Sequence, residues 1–303
     1  MMARMIVIAG TNASGKSGLG VKLAKRFDGE IISADSRQIY RGLDLGSGKI
    51  TPEEMEGVPH HLIDIQEPGT FFSMADFQRL AYQAADDILI RGKTPFLVGG
   101  TGLYIDSVTE GYQLSDKRPD PELRERLETF STPKLYEMLK ERMPGTEIDP
   151  KNRHRVMRVL EKLEAGDEIH PGRQARYETL KLGVTWPREV LNQRIDERLE
   201  RRLAAGMADE VRGLLNRGVS ETFLIKLGLE YKYLTWYVTG RMAEEQMKEE
   251  LAAAIKKFAK RQMTWFRRDP GIHWLDMAGQ PEEEAAMLIE PFLNHGSAPN
   301  AAE

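Results

Sequence analysis

Eight residues near the start of the chain, Gly10-Thr11-Asn12-Ala13-Ser14-Gly15-Lys16-Ser17, have the types and spacing needed to grip a phosphate chain. They fit the P-loop pattern G-x-x-x-x-G-K-[ST] and stand between an apolar run and a helical repeat, the context that pattern needs. The glycines let the backbone curl so that its N–H groups converge on phosphate oxygens, and the following helix presents its positive end. Lys16 is placed to neutralise the terminal phosphate and Ser17 to hold Mg²⁺ through its hydroxyl. Such a grip does not name a reaction, because a diphosphate can depart as readily as a γ-phosphoryl group can be transferred. The guanine-reading Asn-Lys-x-Asp is absent and no apolar run ends in a clear metal-binding aspartate. A kinase acting on a small metabolite stays open at this point.

A second candidate is Asp35, within Ser33-Ala34-Asp35-Ser36-Arg37-Gln38-Ile39-Tyr40, where a carboxylate follows an apolar strand and could act as a general base. Capping of the next turn is the plain alternative role. Three further segments stand out: Gly42-Leu43-Asp44-Leu45-Gly46-Ser47-Gly48-Lys49, Val58-Pro59-His60-His61-Leu62-Ile63-Asp64-Ile65, and Leu97-Val98-Gly99-Gly100-Thr101-Gly102-Leu103-Tyr104. His60 and His61 precede an apolar stretch, where histidines satisfied by backbone are expected.

The elements that must position these residues follow from periodicity. Met5 to Ala9, Glu30 to Ala34 and Pro95 to Val98 are short apolar runs, each leading into a polar or glycine-rich loop, and Leu19, Leu23 and Phe27 recur at helical spacing. Strands alternating with helices imply a parallel sheet with its site at the carboxyl ends. The expected fold is α/β: a P-loop NTPase-like parallel sheet flanked by helices, with an inserted all-helical domain. Residues 1–112 and 181–294 are read as the catalytic core, with returning strands at Lys181 to Trp186 and Ile272 to Met277. Residues 113–180 are read as the insertion, from the Glu-, Arg- and Leu-rich stretch Pro119 to Arg142 and the repeat Val156, Val159, Leu160, Leu163. The tail at 295–303 is expected to be disordered.

Composition excludes several classes. With no cysteine among 303 residues, disulfides, thiolate zinc sites and cysteine nucleophiles are ruled out, and six histidines offer no H-E-x-x-H spacing. No run approaches the roughly 18 apolar residues of a membrane span, so a cytoplasmic location without membrane contact is expected. The formal net charge of -4 does not by itself suggest a polyanion partner. Its distribution does. Between Ala254 and Arg268 lie six basic residues and no acid, and Lys257, Lys260, Arg261, Thr264 and Arg268 recur as one stripe, while Leu251, Ile255, Phe258, Gln262 and Trp265 point toward a core. That separation favours a docking face for a polyanion over uniform solvation, a bare solvated charge run being the plain alternative.

In order and approximate spacing, the P-loop, the Asp35 segment, the Gly42 to Lys49 and Val58 to Ile65 segments, Leu97 to Tyr104 and Ala259-Lys260-Arg261-Gln262-Met263-Thr264-Trp265-Phe266-Arg267 resemble the tRNA dimethylallyltransferase family. The resemblance runs from about residue 5 to 276. It implies transfer of a five-carbon dimethylallyl group from its diphosphate to N6 of adenosine 37, next to the tRNA anticodon, with pyrophosphate released. The P-loop, Lys16, Ser17 and Mg²⁺ would hold the leaving group, and Asp35 matches the family's general base. Thr101 matches a threonine near the bridging oxygen and the base, and Ser36, Arg37 and Gln38 align with contacts to the target nucleotide. Arg194 and Arg198 fit an Arg-Ile-x-x-Arg segment that sends an arginine to the diphosphate, Arg198 being favoured. His154, Arg155 and Arg158 match a segment that grips the tRNA, with Arg155 and Arg158 on one helix face. An anticodon stem-loop and dimethylallyl diphosphate are the implied partners, and a monomer is expected.

The chain departs from the family pattern at four places, one being an insertion somewhat shorter than usual. Ile225-Lys226-Leu227-Gly228-Leu229-Glu230-Tyr231-Lys232 stands where Gln-Ala-Ile-Gly-Tyr and a basic residue are usual, and an acid facing RNA there would repel phosphate. Asn12 replaces a common proline, and Ser47-Gly48 replaces a frequent Thr-Ala. A small-molecule kinase and a catalytically inactive tRNA-binding relative are the competing functions.

Overall fold

A computed structural model of the chain describes residues 2–114, 120–167, 169 and 172–294. The expected tail at 295–303 and Pro119 lie outside the described residues. The chain divides into two units, Met1–Glu110 with Ala175–Glu303, and Gly111–Gln174.

The first unit is built on six parallel strands, β1 (Ala3–Gly10), β2 (Gly29–Ala34), β3 (His60–His61), β4 (Thr94–Gly99), β5 (Tyr177–Thr185) and β6 (Ile272–Asp276), in the order β3-β2-β4-β1-β5-β6. The central strands are apolar on both sides, as parallel strands covered on both faces must be: β1 reads Met5-Ile6-Val7-Ile8-Ala9, all buried. One face packs Met5, Val7, Ile32 and Leu97 under Phe77, Ala81 and Ala85, and the other packs Ile6, Ile8 and Val98 under Leu19 and Leu23. Helices α1 (Lys16–Arg26), α2 (Pro52–Met55), α3 (Met74–Ile90) and α4 (Gly102–Thr109) lie among the first strands.

The second unit holds α5 (Pro121–Glu128), α6 (Thr132–Arg142) and α7 (Arg153–Glu164) around Leu123, Leu127, Leu135, Leu139, Val156 and Leu160. Asp120 and Ser131 cap α5 and α6, so the stretch that reads as one acidic-basic run is two helices, broken at Ser131-Thr132-Pro133. Back in the first unit come α8 (Arg188–Ala204), α9 (Met207–Asn216), α10 (Glu221–Leu227), α11 (Leu229–Val238), α12 (Glu244–Phe266) and α13 (Pro281–Asn294). Helices α8 to α12 enclose a third core of Ile195, Leu199, Val211, Leu214, Leu224, Tyr231, Leu251 and Ile255.

Two features differ from the sequence expectation. Strand β5 starts at Tyr177, not Lys181, so residues 177–180 belong to the sheet rather than to the insertion; Ala3 to Ile6 supply the pairing partners of Tyr177 to Leu180, which no local pattern announces. Strand β3 is two residues long and exists because Ile31 and Ile32 pair with His60 and His61. Among the described residues no helix is long and apolar enough to cross a membrane.

Candidate functional site

The carboxyl ends of β1, β2 and β4 deliver the P-loop, Asp35 and the Gly99-Gly100-Thr101 turn to one edge of the sheet, because all three strands run parallel and in register. Ala13 (φ 59°) and Gly15 (φ 88°) are left-handed, which bends successive N–H groups into a concave nest, and α1 begins at Lys16 with no acid in its first turn. Its positive end is therefore open to an anion. Trp186 Nε1 donates to Ser14 O (2.9 Å) and Arg194 Nε donates to Ala13 O (3.0 Å), with the Arg194 guanidinium over the Trp186 ring. Arg194 thus braces the loop through its backbone.

Lys16 Nζ donates to Thr11 O at 3.2 Å. Burial lowers its pKa to about 8; Asp35 opposes that fall, and Arg198 and Arg37 add to it. Arg198 donates to Gly48 O (3.0 Å) and lines, with Ala13 to Ser17, Gly48 and Arg194, an open cavity of about 380 Å³. At ~30 Å³ per water that is room for about a dozen waters, enough for a hydrated diphosphate. Burial, then Arg202, hold the Arg198 pKa below the ordinary guanidinium range. Lys16, Arg194, Arg198 and Arg201 face this cavity against Glu54, Glu56 and Glu197 on its rim, a balance that leaves the P-loop end positive and favours an anion there.

Asp35 lines a second, small cavity of about 20 Å³, the room of a single water, with Lys16, Ser17, Gln38 and Gly99. Its Oδ1 accepts from Arg37 N (2.9 Å), so the carboxylate does cap its own turn as well as face Lys16. Thr101 caps α4, and its Oγ1 accepts from Ser36 N at 3.2 Å, joining the β2 and β4 turns. Gln38 donates to Gly48 O and accepts from Ser33 Oγ. Ser17 and Asp35 present hard oxygen donors on one cavity wall, a set suited to Mg²⁺ held chiefly through phosphate oxygens. Among the described residues no three carboxylates or histidines converge on a metal position.

Helix α12 presents two faces. Lys257, Lys260, Arg261, Thr264 and Arg268 are all exposed, and Lys257, Lys260 and Arg261 have no carboxylate partner among the described residues. The Arg261 and Arg268 guanidinium groups lie over Phe258 and Trp265, at 5.5 and 3.9 Å. On the inner face Gln262 does what its apolar neighbours cannot: its Nε2 donates to Gly100 O (2.8 Å) and its Oε1 accepts from Asn12 N (3.0 Å). Its sequence signal is a lone amide on an otherwise apolar stripe, which must find partners when buried.

Several residues singled out by sequence are engaged elsewhere. The Arg37 guanidinium, expected at the target nucleotide, is buried and bonded to Glu230 at 2.6 Å. Glu230 is itself 2% exposed and also meets Arg202 at 3.2 Å, so the acid expected to repel phosphate points into the protein. Arg158 pairs with the buried Glu161 (3.1 Å), which also holds Arg124. On the same helix face Arg155 and His154 are exposed. Arg153 caps α5 through Glu128 O and Phe130 O. His60 meets the backbone at Val58 O as expected, whereas His61 meets the Glu30 carboxylate (2.7 Å). Lys49 bonds Tyr40 O, Asp44 and Asp64, stitching the Gly42 to Lys49 and Val58 to Ile65 segments together.

The sequence model of the IPP transferase family matches residues 38–269. The chain belongs to the IPP transferase family. It is 41% identical over 304 residues to a tRNA dimethylallyltransferase of Geobacillus thermodenitrificans, covering 96% of each chain. It is 44% identical to a tRNA dimethylallyltransferase 2 of Syntrophotalea carbinolica, covering 93% of this chain and 97% of that one. The fold matches a crystal structure of a tRNA isopentenylpyrophosphate transferase from Bacillus halodurans with TM-score 0.73 and 37% identity, over 97% and 96% of the two chains. It also matches a eukaryotic dimethylallyltransferase described as acting on tRNA, with TM-score 0.78 and 25% identity, over 99% and 81%. The family match begins at Gln38, so the phosphate cradle of this IPP transferase lies ahead of the matched residues.

Proposed function

We propose that this protein transfers a dimethylallyl group from dimethylallyl diphosphate to N6 of adenosine 37 beside a tRNA anticodon. The observation that carries the reading is the shared cavity wall of Lys16, Ser17 and Asp35: an anion cradle and a carboxylate face one space. As the C1–O bond of the donor breaks, the P-loop N–H groups, Lys16 and Arg198 take up the charge growing on the diphosphate. N6 of the extruded adenine bonds C1, and its proton passes to Asp35. Thr101, fixed by the Ser36 N–H at the same turn pair, is the residue assigned in this reading to the bridging oxygen and the base. Mg²⁺, held through Ser17 and the donor's oxygens, would supply further neutralisation of the leaving group.

The target adenine must leave its stack, so the RNA has to be held on either side of it. Lys257, Lys260 and Arg261 on α12 are exposed cations with no carboxylate partner among the described residues, and in the other unit Arg155 and His154 form an exposed pair on α7. Arg158 and Arg37 act through their ion-pair partners in this reading. The protein works as a cytoplasmic enzyme on the tRNA pool.

The test is incubation with Mg²⁺, labelled dimethylallyl diphosphate and an unmodified anticodon stem-loop carrying adenosine 37. Label in the RNA with pyrophosphate released is the expected result. Consumption of ATP without label transfer would identify a kinase, and tight RNA binding without label an inactive reader.

A further inference from the structure

Glu230 stands where the sequence departs from its family, and it is buried beside the site, at 2% exposure. Burial by itself would raise its pKa, but Arg37 and Arg202 outweigh it and hold the carboxylate below its ordinary range. Its two oxygens are divided: Oε2 meets Arg37 Nη1 at 2.6 Å and Oε1 meets Arg202 Nη1 at 3.2 Å. Each arginine leads to the reaction centre. Arg37 sits two residues from Asp35 and its N–H is bonded to the Asp35 carboxylate (2.9 Å). Arg202 lies one helical turn from Arg198 on α8 and also donates to Leu45 O, in the loop whose Gly48 carbonyl holds Arg198. The adjacent Tyr231 hydroxyl donates to Glu210, which accepts from the N–H groups of Asp44, Leu45 and Gly46.

We propose that Glu230 is a positioning residue for prenyl transfer: one buried carboxylate that fixes the Asp35 turn relative to the Arg198 end of the diphosphate cavity. It touches neither substrate. A buried ion pair exchanged whole for apolar residues is often tolerated by the fold, whereas removal of one partner leaves a buried charge unmet. Alignment is what the divided carboxylate supplies, because no apolar residue can hold two guanidinium groups at fixed distances from two different loops. Without its charge the two buried arginines repel each other across the gap, and the turn carrying Asp35 is free to move away from Lys16.

This inference rests on the prenyl-transfer reading, so the wild-type chain is assayed first with labelled dimethylallyl diphosphate and the stem-loop. Failure there removes the reading itself. With transfer established, Glu230→Gln is expected to lower kcat at least tenfold while the donor KM stays within threefold, since the P-loop is unaltered. An unchanged kcat, or a donor KM that rises as far as kcat falls, would overturn the proposal. Arg37→Met and the double variant Arg37→Met, Glu230→Gln complete a cycle: the double should lose no more than the worse single, and losses that multiply would also overturn it. If Glu230→Gln does not fold, Glu230→Asp retains the charge but is one methylene short of reaching both arginines. It is then expected to fold and show the same split in kcat and KM, and wild-type kcat in that variant counts against the proposal.

Discussion

Arg198 occupies the space that a side chain on Gly48 would fill, while its Nη2 donates to the Gly48 carbonyl at 3.0 Å. Gly48 also has φ +63°, a left-handed conformation that costs an alanine about 1–2 kcal/mol. The glycine at a position where the family more often has alanine is therefore matched to the arginine that lines the cavity. Gly48→Ala should displace the guanidinium, lowering turnover about tenfold and the melting temperature by a few degrees. Steady-state kinetics and a thermal melt check both.

The position of Lys16 predicts a pH dependence of anion binding. Below about pH 8 the ammonium is charged and attracts diphosphate; above it the amine is neutral. Pyrophosphate affinity should therefore be flat toward acid and fall about tenfold per unit above pH 8. Titration calorimetry from pH 6.5 to 9.5 reads the break, and Lys16→Arg should abolish it.

Asp35→Asn keeps the Arg37 N–H acceptor but removes the base. Turnover should fall about 10²- to 10⁴-fold with pyrophosphate affinity retained, which single-turnover transfer and a binding titration separate. Normal turnover in that variant would remove Asp35 from the chemistry.

Much of this arrangement was readable in the residues and some was not. The P-loop, the Asp35 turn and the Gly99 to Thr101 turn announce themselves because each follows a short apolar run, and a strand feeding a glycine-rich loop has few other meanings. The exposed stripe on α12 was equally legible, since Lys257, Lys260 and Arg261 lie away from Leu251 and Ile255 at helical spacing. Arg37, Glu230 and Arg202 were not: they are 28 or more positions apart, and nothing local says whether a charged residue turns inward to a partner or outward to water. Strand β5 was misplaced by four residues for the same reason, its start being set by pairing with β1.

Glu210 illustrates how a distant carboxylate sets a loop. It accepts three backbone N–H groups, from Asp44, Leu45 and Gly46, and the Tyr231 hydroxyl. Glu210→Ala should destabilise the fold by about 1–2 kcal/mol, because the Asp44 N–H is exposed and the other donors are only partly buried, so water takes up part of the lost charge-assisted bonding. Chemical denaturation measures it.

Removing two exposed cations tests the RNA face. The double variant Lys260→Ala, Arg261→Ala should weaken stem-loop binding and reduce the slope of log K against log salt by about 1.4, at about 0.7 per single-strand phosphate contact. Donor binding should be untouched. An unchanged slope would exclude this stripe.

Gln262 gives α12 a second significance. One amide on its inner side is hydrogen-bonded to both Asn12 and Gly100, and one helical turn of the same rod carries Lys260 and Arg261 on the outside. In the proposed reaction, polynucleotide on the outer side and pyrophosphate on the inner side would share a single stiff lever. A tilt of that helix would move Asn12 and Gly100 with it, because the Gln262 amide ties both to the rod.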